Sequence, residues 1–307
     1  MRLFRRAWRV QIDTLDVSNL DIEFKILATL KPEPNKGVVT VWNLNQDHRA
    51  QILKRNRPNG NQTHGIPVQV EAGYVDNTAV LLSADLREAV SQRDGTDWKT
   101  VLSGDDAGRA YRESRISAQW PKGTPIGTVL TQCAQALGVG SGNVNNFTAD
   151  AEISGIGAKL AHSFTADGNV SRELDRLLKS IGLTWSVQHG ALQVLRRGAP
   201  LNQSAIRISS STGLLGSPEA AIDATVSLGN PQQFAAGAKL KVAKPPKPKD
   251  PGILKIKTLL IPGMAPGRKI VLESEQFNGG YMLTEVEYVG QSWTSGEWRC
   301  DCVARVY

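Results

Sequence analysis

The stretch VQVEAGYVDNTAVLLSADL, residues 68–86, decides the fold class of the chain. Apolar residues occupy every second position from 68 to 74 and again from 80 to 86. Alternation with a period of two is typical of a strand that buries one face. Because Asp76-Asn77 is a turn dipeptide between the two runs, the stretch predicts an antiparallel hairpin.

The same alternation continues on both sides of this hairpin. Trp8, Val10 and Ile12 predict a strand near the start, and Asp94-Gly95 is a strong signal for the tip of a further hairpin. Residues 3–8 alone could form a short basic amphipathic helix, but Val10 and Ile12 continue the alternation where a helical stripe would not. Residues 1–112 are therefore predicted to form a meander of antiparallel strands, as in a small barrel or sandwich.

Residues 113–200 change in character. Thr124 and Pro125 can cap and begin a helix whose apolar positions follow helical spacing until Gly138. A second helix is predicted after Asn169, and a hairpin with His189-Gly190 at its turn follows. This part is predicted to be a small α+β domain.

Residues 201–307 return to strand patterns. The last strand places Trp298, Cys300 and Cys302 on one apolar face. Residues 239–257, rich in lysine and proline, are predicted to form an exposed extended loop, and their PxxP spacing is a single weak match to a polyproline ligand. The predicted fold class is mostly β with an α+β middle part.

The positive charge of the chain is local. The net charge is +7 over 307 residues, but it comes from arginines at positions 2, 5, 6 and 9 and from seven lysines between 239 and 257. Such segments are either solvated loops or contacts for nucleic acid, an anionic surface or an acidic neighbour. No apolar run approaches the roughly 18 residues of a membrane helix, and the start does not read as a signal peptide, so folding in a cytoplasm is expected.

No catalytic, cofactor-binding or metal-binding residue is predicted, and the chain is not expected to be an enzyme. The carboxylate pairs Asp105-Asp106 and Glu285/Glu287 could in principle do acid–base chemistry, but both are interpreted as structural. Residues 155–159 lack the spacing and the hydroxyl of a phosphate loop. The three cysteines are interpreted as core residues, and the four histidines are scattered without ligand spacing.

Five segments in order along the chain resemble the baseplate hub proteins of tailed bacteriophages, the group that includes the late-control-D-like hubs. They are TVWNLN at 40–45, which follows Pro34-Asn35 and precedes Arg49; AGY at 72–74 with Trp98 and Ser103-Gly104-Asp105; Gly168-Asn169 through WSVQHG at 185–190 and LQV at 192–194; TGLLGSPE at 212–219; and FNGGY at 277–281 with Val286, Trp293 and Trp298. The segment 239–257 departs from the family and looks like an insertion.

The resemblance implies two barrel domains of the tail-tube fold, at 1–112 and 201–307, that flank the α+β domain at 113–200. It implies a structural baseplate hub, a trimer whose six barrels form a pseudo-six-fold ring between the six-fold tail tube and the three-fold spike. The implied partners are the tail tube or distal tube protein and the spike protein, with the tape-measure protein and other baseplate proteins as further candidates. The implied location is the virion tail baseplate, assembled in the host cytoplasm.

Two alternatives stay open. The chain could be the hub of a phage-derived injection or secretion device, which the same segments would also fit. It could instead be a DNA-contacting channel protein, because of its two basic segments, with nucleic acid in transit through the channel. No cofactor and no membrane contact are expected.

Overall fold

The computed structural model describes residues 5–55, 65–144, 159–220 and 252–307. In the first part of the chain the elements are β1 Arg6–Ile12, β2 Leu15–Asp16, β3 Ile22–Thr29, β4 Lys36–Trp42, α1 Gln46–Arg55, β5 Pro67–Tyr74, β6 Asn77–Asp94, β7 Asp97–Asp105 and α2 Gly108–Glu113. The middle part has β8 Arg115–Trp120, α3 Ile126–Leu137, β9 Phe164–Asn169, α4 Val170–Ser180, β10 Leu183–Gln188 and β11 Ala191–Arg196. The last part has β12 Ile206–Ser209, β13 Leu214–Ala220, β14 Ile253–Leu259, β15 Lys269–Glu273, β16 Asn278–Gln291 and β17 Trp298–Val306.

The mostly β class with an α+β middle part is confirmed. Thirteen strands form one sheet, with the path β13-β14-β17-β16-β3-β4-β7-β6-β5-β1-β2 and with β15 joining β12 to β16. The first and last parts of the chain therefore share one hydrogen-bonded sheet and do not close as two separate barrels within the described residues. The division into domains at 1–112, 113–200 and 201–307 stays a prediction.

Two hydrophobic cores lie in the described residues. The larger core takes side chains from both ends of the chain, among them Phe24, Leu102 and Tyr288, because β3 and β16 lie side by side in the sheet. The smaller core belongs to the middle part, where α3 and α4 bury Leu130 and Leu174. The alternating strand patterns produce this arrangement, since each strand has one face to bury.

The predicted ends of α3 and α4 are confirmed, except for the start of α3. Asn169 caps α4, because its side-chain oxygen accepts hydrogen bonds from the backbone N–H groups of Ser171 and Arg172. Gly138 ends α3 with a φ of 73°, a conformation that suits glycine. Thr124 does not cap α3, since its hydroxyl donates to the carbonyl of Pro121 instead.

The predicted loop at 239–257 is wrong at its end. Ile253–Leu259 is strand β14, and Lys257 lies opposite Asp301 of β17. The rest of that segment, including the PxxP spacing, lies outside the described residues. Met1–Phe4 and most of 155–159 also lie outside the described residues. The strand predicted near the start of the chain is β1, which begins at Arg6.

Candidate assembly interface

The first and last parts of the chain contain two six-strand units with the same connectivity. In the first unit the pairs are β3·β4, β4·β7, β7·β6, β6·β5 and β5·β1. In the last unit they are β13·β14, β14·β17, β17·β16, β16·β15 and β15·β12, in the same chain order. Strand by strand, β1 and β3–β7 correspond to β12–β17.

The correspondence extends to individual residues. The β6·β7 hairpin has a register shift between Leu86 and Glu88, and the β16·β17 hairpin has one between Leu283 and Glu285. Counting from these shifts, Arg93 opposite Trp98 corresponds to Gly290 opposite Trp298. A bulge is a specific feature of a strand pair, so its recurrence at one register supports a common plan for both units.

One strand pair differs between the units. β1 runs antiparallel to β5, whereas β12 runs parallel to β15. The first strands of the two units, β1 and β12, therefore run in opposite directions relative to their neighbours. All six strands share their order in the two units, but only the other five share their direction.

The two units join edge to edge within the chain through β16 and β3. After its last pair with β15, at Met282, β16 continues and pairs antiparallel with β3 from Glu285 to Gln291. Glu287 forms an ion pair with Lys25 across this joint, with 3.1 Å between Oε1 and Nζ. Gly290 lies directly against the ring of Phe24, because a Cβ at position 290 would stand 2.2 Å from a ring carbon.

Trp298 sits beneath the joint and is 4% exposed. Its ring meets Trp8 edge-on at a centroid distance of 6.2 Å and Phe24 at 5.5 Å, and its indole N–H donates to the carbonyl of Gly73. The guanidinium of Arg6 stacks over the same ring and donates to the carbonyls of residues 291, 293 and 296. The N-terminal strand therefore holds the β16–β17 turn in place.

The corresponding edges of the two units have no strand partner among the described residues. The second half of β6, Arg87–Asp94, pairs there only with β7, and β13 pairs only with β14. Both edges expose apolar side chains, with Val90 44% and Leu215 36% exposed. Trp98, the counterpart of buried Trp298, is 36% exposed. Free strand edges with apolar side chains are ready sites for pairing with another chain.

A buried polar network ties the sheet to the middle part of the chain. The side-chain amide of Asn35 donates to the carbonyl of Val187 and to the side chain of Gln188, each at 3.0 Å. Gln188 in turn donates to the carbonyl of Thr29 at 2.7 Å. Both amide N–H groups of Asn35 and of Gln188 have acceptors, and these bonds hold the β10–β11 hairpin against the sheet.

Asp105 and Asp106, one of the carboxylate pairs singled out in the sequence, lie in this junction. Asp105 Oδ2 accepts from Arg87 at 3.1 Å and from Arg112 at 3.4 Å. Asp106 accepts from the backbone N–H of Gly190 at 3.2 Å. Burial raises the pKa of Asp106 to about 7, although hydrogen bonds from the backbone of Gly190 and His189 lower it. Both side chains connect elements, which fits their structural interpretation.

Replacing Asp106 with asparagine is expected to stabilise the protein at pH 8 and to have a smaller effect at pH 5. Because the folded-state pKa of Asp106 is raised, this group lowers stability as the pH rises from about 4 to about 7, by a few kcal/mol at most, on the order of 1.4 kcal/mol per pKa unit. An asparagine oxygen can still accept from Gly190. The measurement is urea unfolding of both proteins from pH 5 to pH 8.

The matched control is Asp105→Asn, which removes the negative charge that faces Arg87 and Arg112 and is expected to destabilise the protein at pH 8. A loss of stability in Asp106→Asn that is equal at all pH values would contradict the role given to the buried charge.

The other residues considered as sites form three separate groups: the glutamate pair, the two cysteines of β17 and Cys133. Glu285 and Glu287 lie at the β16·β3 joint, and the latter is paired with Lys25. The three cysteines are buried, as predicted, with two in the larger core and Cys133 in the smaller one. Among the described residues no group of three or more His, Cys, Asp or Glu side chains is placed to hold a metal ion. In the same ranges, none of the helices has the length and apolar character needed to span a membrane.

No family model matches the sequence, and no curated protein matches it. Several solved structures match along nearly the whole chain. The 43 kDa tail protein of prophage MuSo2 from Shewanella oneidensis has a TM-score of 0.58 at 10% identity, covering 97% of this chain and 96% of that one. The tail protein from Neisseria meningitidis MC58 has a TM-score of 0.57 at 11% identity, covering 99% and 97%.

A third structure comes from a secretion system. The E. coli c3393 protein, described as a component of the type VI secretion system with structural similarity to the T4 bacteriophage tail proteins gp27 and gp5, has a TM-score of 0.53 at 9% identity, covering 97% of this chain and 76% of that one. At these identities the likeness shows a shared fold. The chain has the fold of these tail and secretion-system proteins.

Proposed function

We propose that this chain is a structural subunit of a phage tail baseplate, a hub that forms a trimeric ring with pseudo-six-fold symmetry. Its partners would be the six-fold tail tube or distal tube protein on one side and the three-fold spike protein on the other. The observation that carries the proposal is the repeated connectivity of the two six-strand units in one chain. Three such chains present six similar units, which reconciles a three-fold partner with a six-fold one.

The fold comparisons support the same function. Two of the similar structures are phage or bacterial tail proteins, and the third is described as similar to tail proteins gp27 and gp5. The polar contacts at the β16·β3 joint and around Asp105 and Asp106 link elements within the chain, which is a structural role. No catalytic role is assigned to Asp105, Asp106, Glu285 or Glu287.

The second candidate is the hub of a phage-derived injection or secretion device. The type VI secretion component among the similar structures favours it. Both candidates use the same ring, so they differ in what surrounds it. Genes for capsid and head proteins next to this gene would support the phage tail, and genes for a secretion sheath and its ATPase would support the device.

The purified chain is expected to form a trimer of about 100 kDa, three times the 33.2 kDa mass of one chain. Light scattering at micromolar concentration measures this mass. The addition of the cognate spike protein is expected to give a larger complex with three copies of each chain. A chain that stays monomeric, alone and with the tube and spike proteins added, would contradict the proposal.

A further inference from the structure

The pairing of β16 with β3 inside the chain has an equivalent pairing that a single chain does not form among the described residues. In strand correspondence, β16 matches β6 and β3 matches β13. The second half of β6 and the outer edge of β13 have no strand partner among the described residues, whereas β16 and β3 pair with each other. One of two equivalent strand pairings, β16 with β3, is therefore formed within the chain and is called the filled joint. The two strands of the other pairing, β6 and β13, are present with these edges unpaired among the described residues.

We propose that β6 of one copy pairs antiparallel with β13 of the next copy, as β16 pairs with β3 within the chain. This inference deepens the proposed ring and rests on it. Since the contact uses two different edges, it is heterologous, and its repetition closes a ring if the rotation between copies closes. Three copies then have three internal joints and three joints between copies.

The register of this contact follows from the internal joint. Lys25 pairs with Val289 across the filled joint. The counterpart of Lys25 in β13 is Glu219. Lys25 pairs with Val38 and Glu219 pairs with Lys255, and Val38 and Lys255 lie opposite equivalent positions of β7 and β17. Counting from the shared bulge, the counterpart of Val289 is Gln92. Gln92 is therefore placed opposite Glu219 of the next copy.

At each joint a large side chain on one strand lies opposite a stretch with small residues on the other strand. In the filled joint Gly290 leaves space for Phe24, since any Cβ at position 290 would collide with the ring. The counterpart of Gly290 is the large side chain of Arg93, and the counterpart of Phe24 is the irregular stretch 216–218, Gly-Ser-Pro. In the filled joint the glycine is on β16, whereas in the proposed joint the large side chain is on β6 and the stretch that includes Gly216 is on β13.

Exposure agrees with an interface at this position. Trp298 is 4% exposed because the first unit covers it, whereas its counterpart Trp98 is 36% exposed in the single chain. Val90 and Leu215 are exposed on the two edges that would meet. A second copy docked in this way would cover Trp98 as the first unit covers Trp298, and it would remove both free edges.

A disulfide tests the register in the full-length chain. Gln92 and Glu219 are exposed, so the double variant Gln92→Cys/Glu219→Cys is expected to fold, and the native cysteines are buried. Under mild oxidation it is expected to give covalent dimers and trimers on a non-reducing gel. The matched control is Glu88→Cys/Glu219→Cys, which moves one thiol by about 13 Å along the strand, beyond the reach of a disulfide.

The inference expects at least about ten-fold more cross-linked product from the first pair than from the control pair. Light scattering of the same samples separates the possible failures. A trimer in which the first pair cross-links no more than the control overturns the β6·β13 contact and leaves the proposed ring intact. A chain that is monomeric in every sample, with tube and spike proteins added, overturns the ring and the contact together.

Discussion

Replacing Trp298 with alanine is expected to lower the free energy of unfolding by about 3–5 kcal/mol, the usual cost of truncating a buried aromatic side chain. The ring contacts Trp8 and Phe24, carries the guanidinium of Arg6 and donates a hydrogen bond to Gly73. Its loss leaves a cavity where the two units meet and a buried carbonyl without its donor. Urea unfolding of the dilute chain, followed by circular dichroism, measures the change.

Trp98→Ala is the matched control, because Trp98 holds the corresponding place in the first unit. It is 36% exposed and contacts Arg49, whose guanidinium lies 3.9 Å from the ring centroid. In the unassembled chain its truncation is expected to cost about 1 kcal/mol, near the value of an exposed cation–π contact. Equal losses from the two variants would contradict the picture of Trp298 as the buried centre of the joint.

Gly290→Ala is expected to destabilise the chain by about 1–3 kcal/mol, the usual cost of overpacking a core. The added methyl group would stand 2.2–2.8 Å from three ring atoms of Phe24, and neither hydrogen-bonded strand can move away freely. Thermal unfolding by calorimetry measures the loss. Gly252→Ala is the control: its Cβ would meet no atom of the described residues within 4 Å, so its effect should stay within about 0.5 kcal/mol.

A double mutant shows whether the collision with Phe24 is the cause. Phe24→Leu removes the ring and should destabilise the parent protein, but in the Gly290→Ala background it should cost less or restore stability. The coupling between the two positions is then expected to be about 1 kcal/mol or more. Additive losses would mean that the alanine acts on the backbone and not on the ring.

The strands were predictable because their signal is local. In the hairpin of β5 and β6, Val68, Val70 and Ala72 are all buried, as their alternation predicts. Helix α1 was missed, since Ile52 is the only one of its described side chains that is buried and the segment has no apolar stripe. One signal was present: the side chain of Asn45 accepts a hydrogen bond from the backbone of His48, as an N-cap does.

The candidate interface was not predictable from local pattern. The β16·β3 joint pairs Glu285 with Thr29, residues far apart in the sequence, and no alternation specifies which strands become neighbours. The repeat of the two units is equally hidden, because their residues differ nearly everywhere. The shared Leu-x-Glu at the bulge and the shared tryptophan become informative only when the register of each hairpin is known. Before the strand pairing was known, only the resemblance to baseplate hubs implied two similar domains in the chain.

The structural interpretation of Asp105 and Asp106 had a similar limit. A pair of carboxylates at a strand end is compatible with catalysis or with a junction. The support for a junction is the hydrogen bond that Asp106 accepts from Gly190 in the turn of the β10–β11 hairpin, which is distant in sequence and close in space.

Electron microscopy of the purified full-length chain tests the central claim most directly. Class averages of the end-on view are expected to show a closed ring with three-fold symmetry and six lobes, two from each chain. Single particles without a ring, or a ring whose number of lobes is not six, would contradict the proposal that two similar units in each of three chains build the hub.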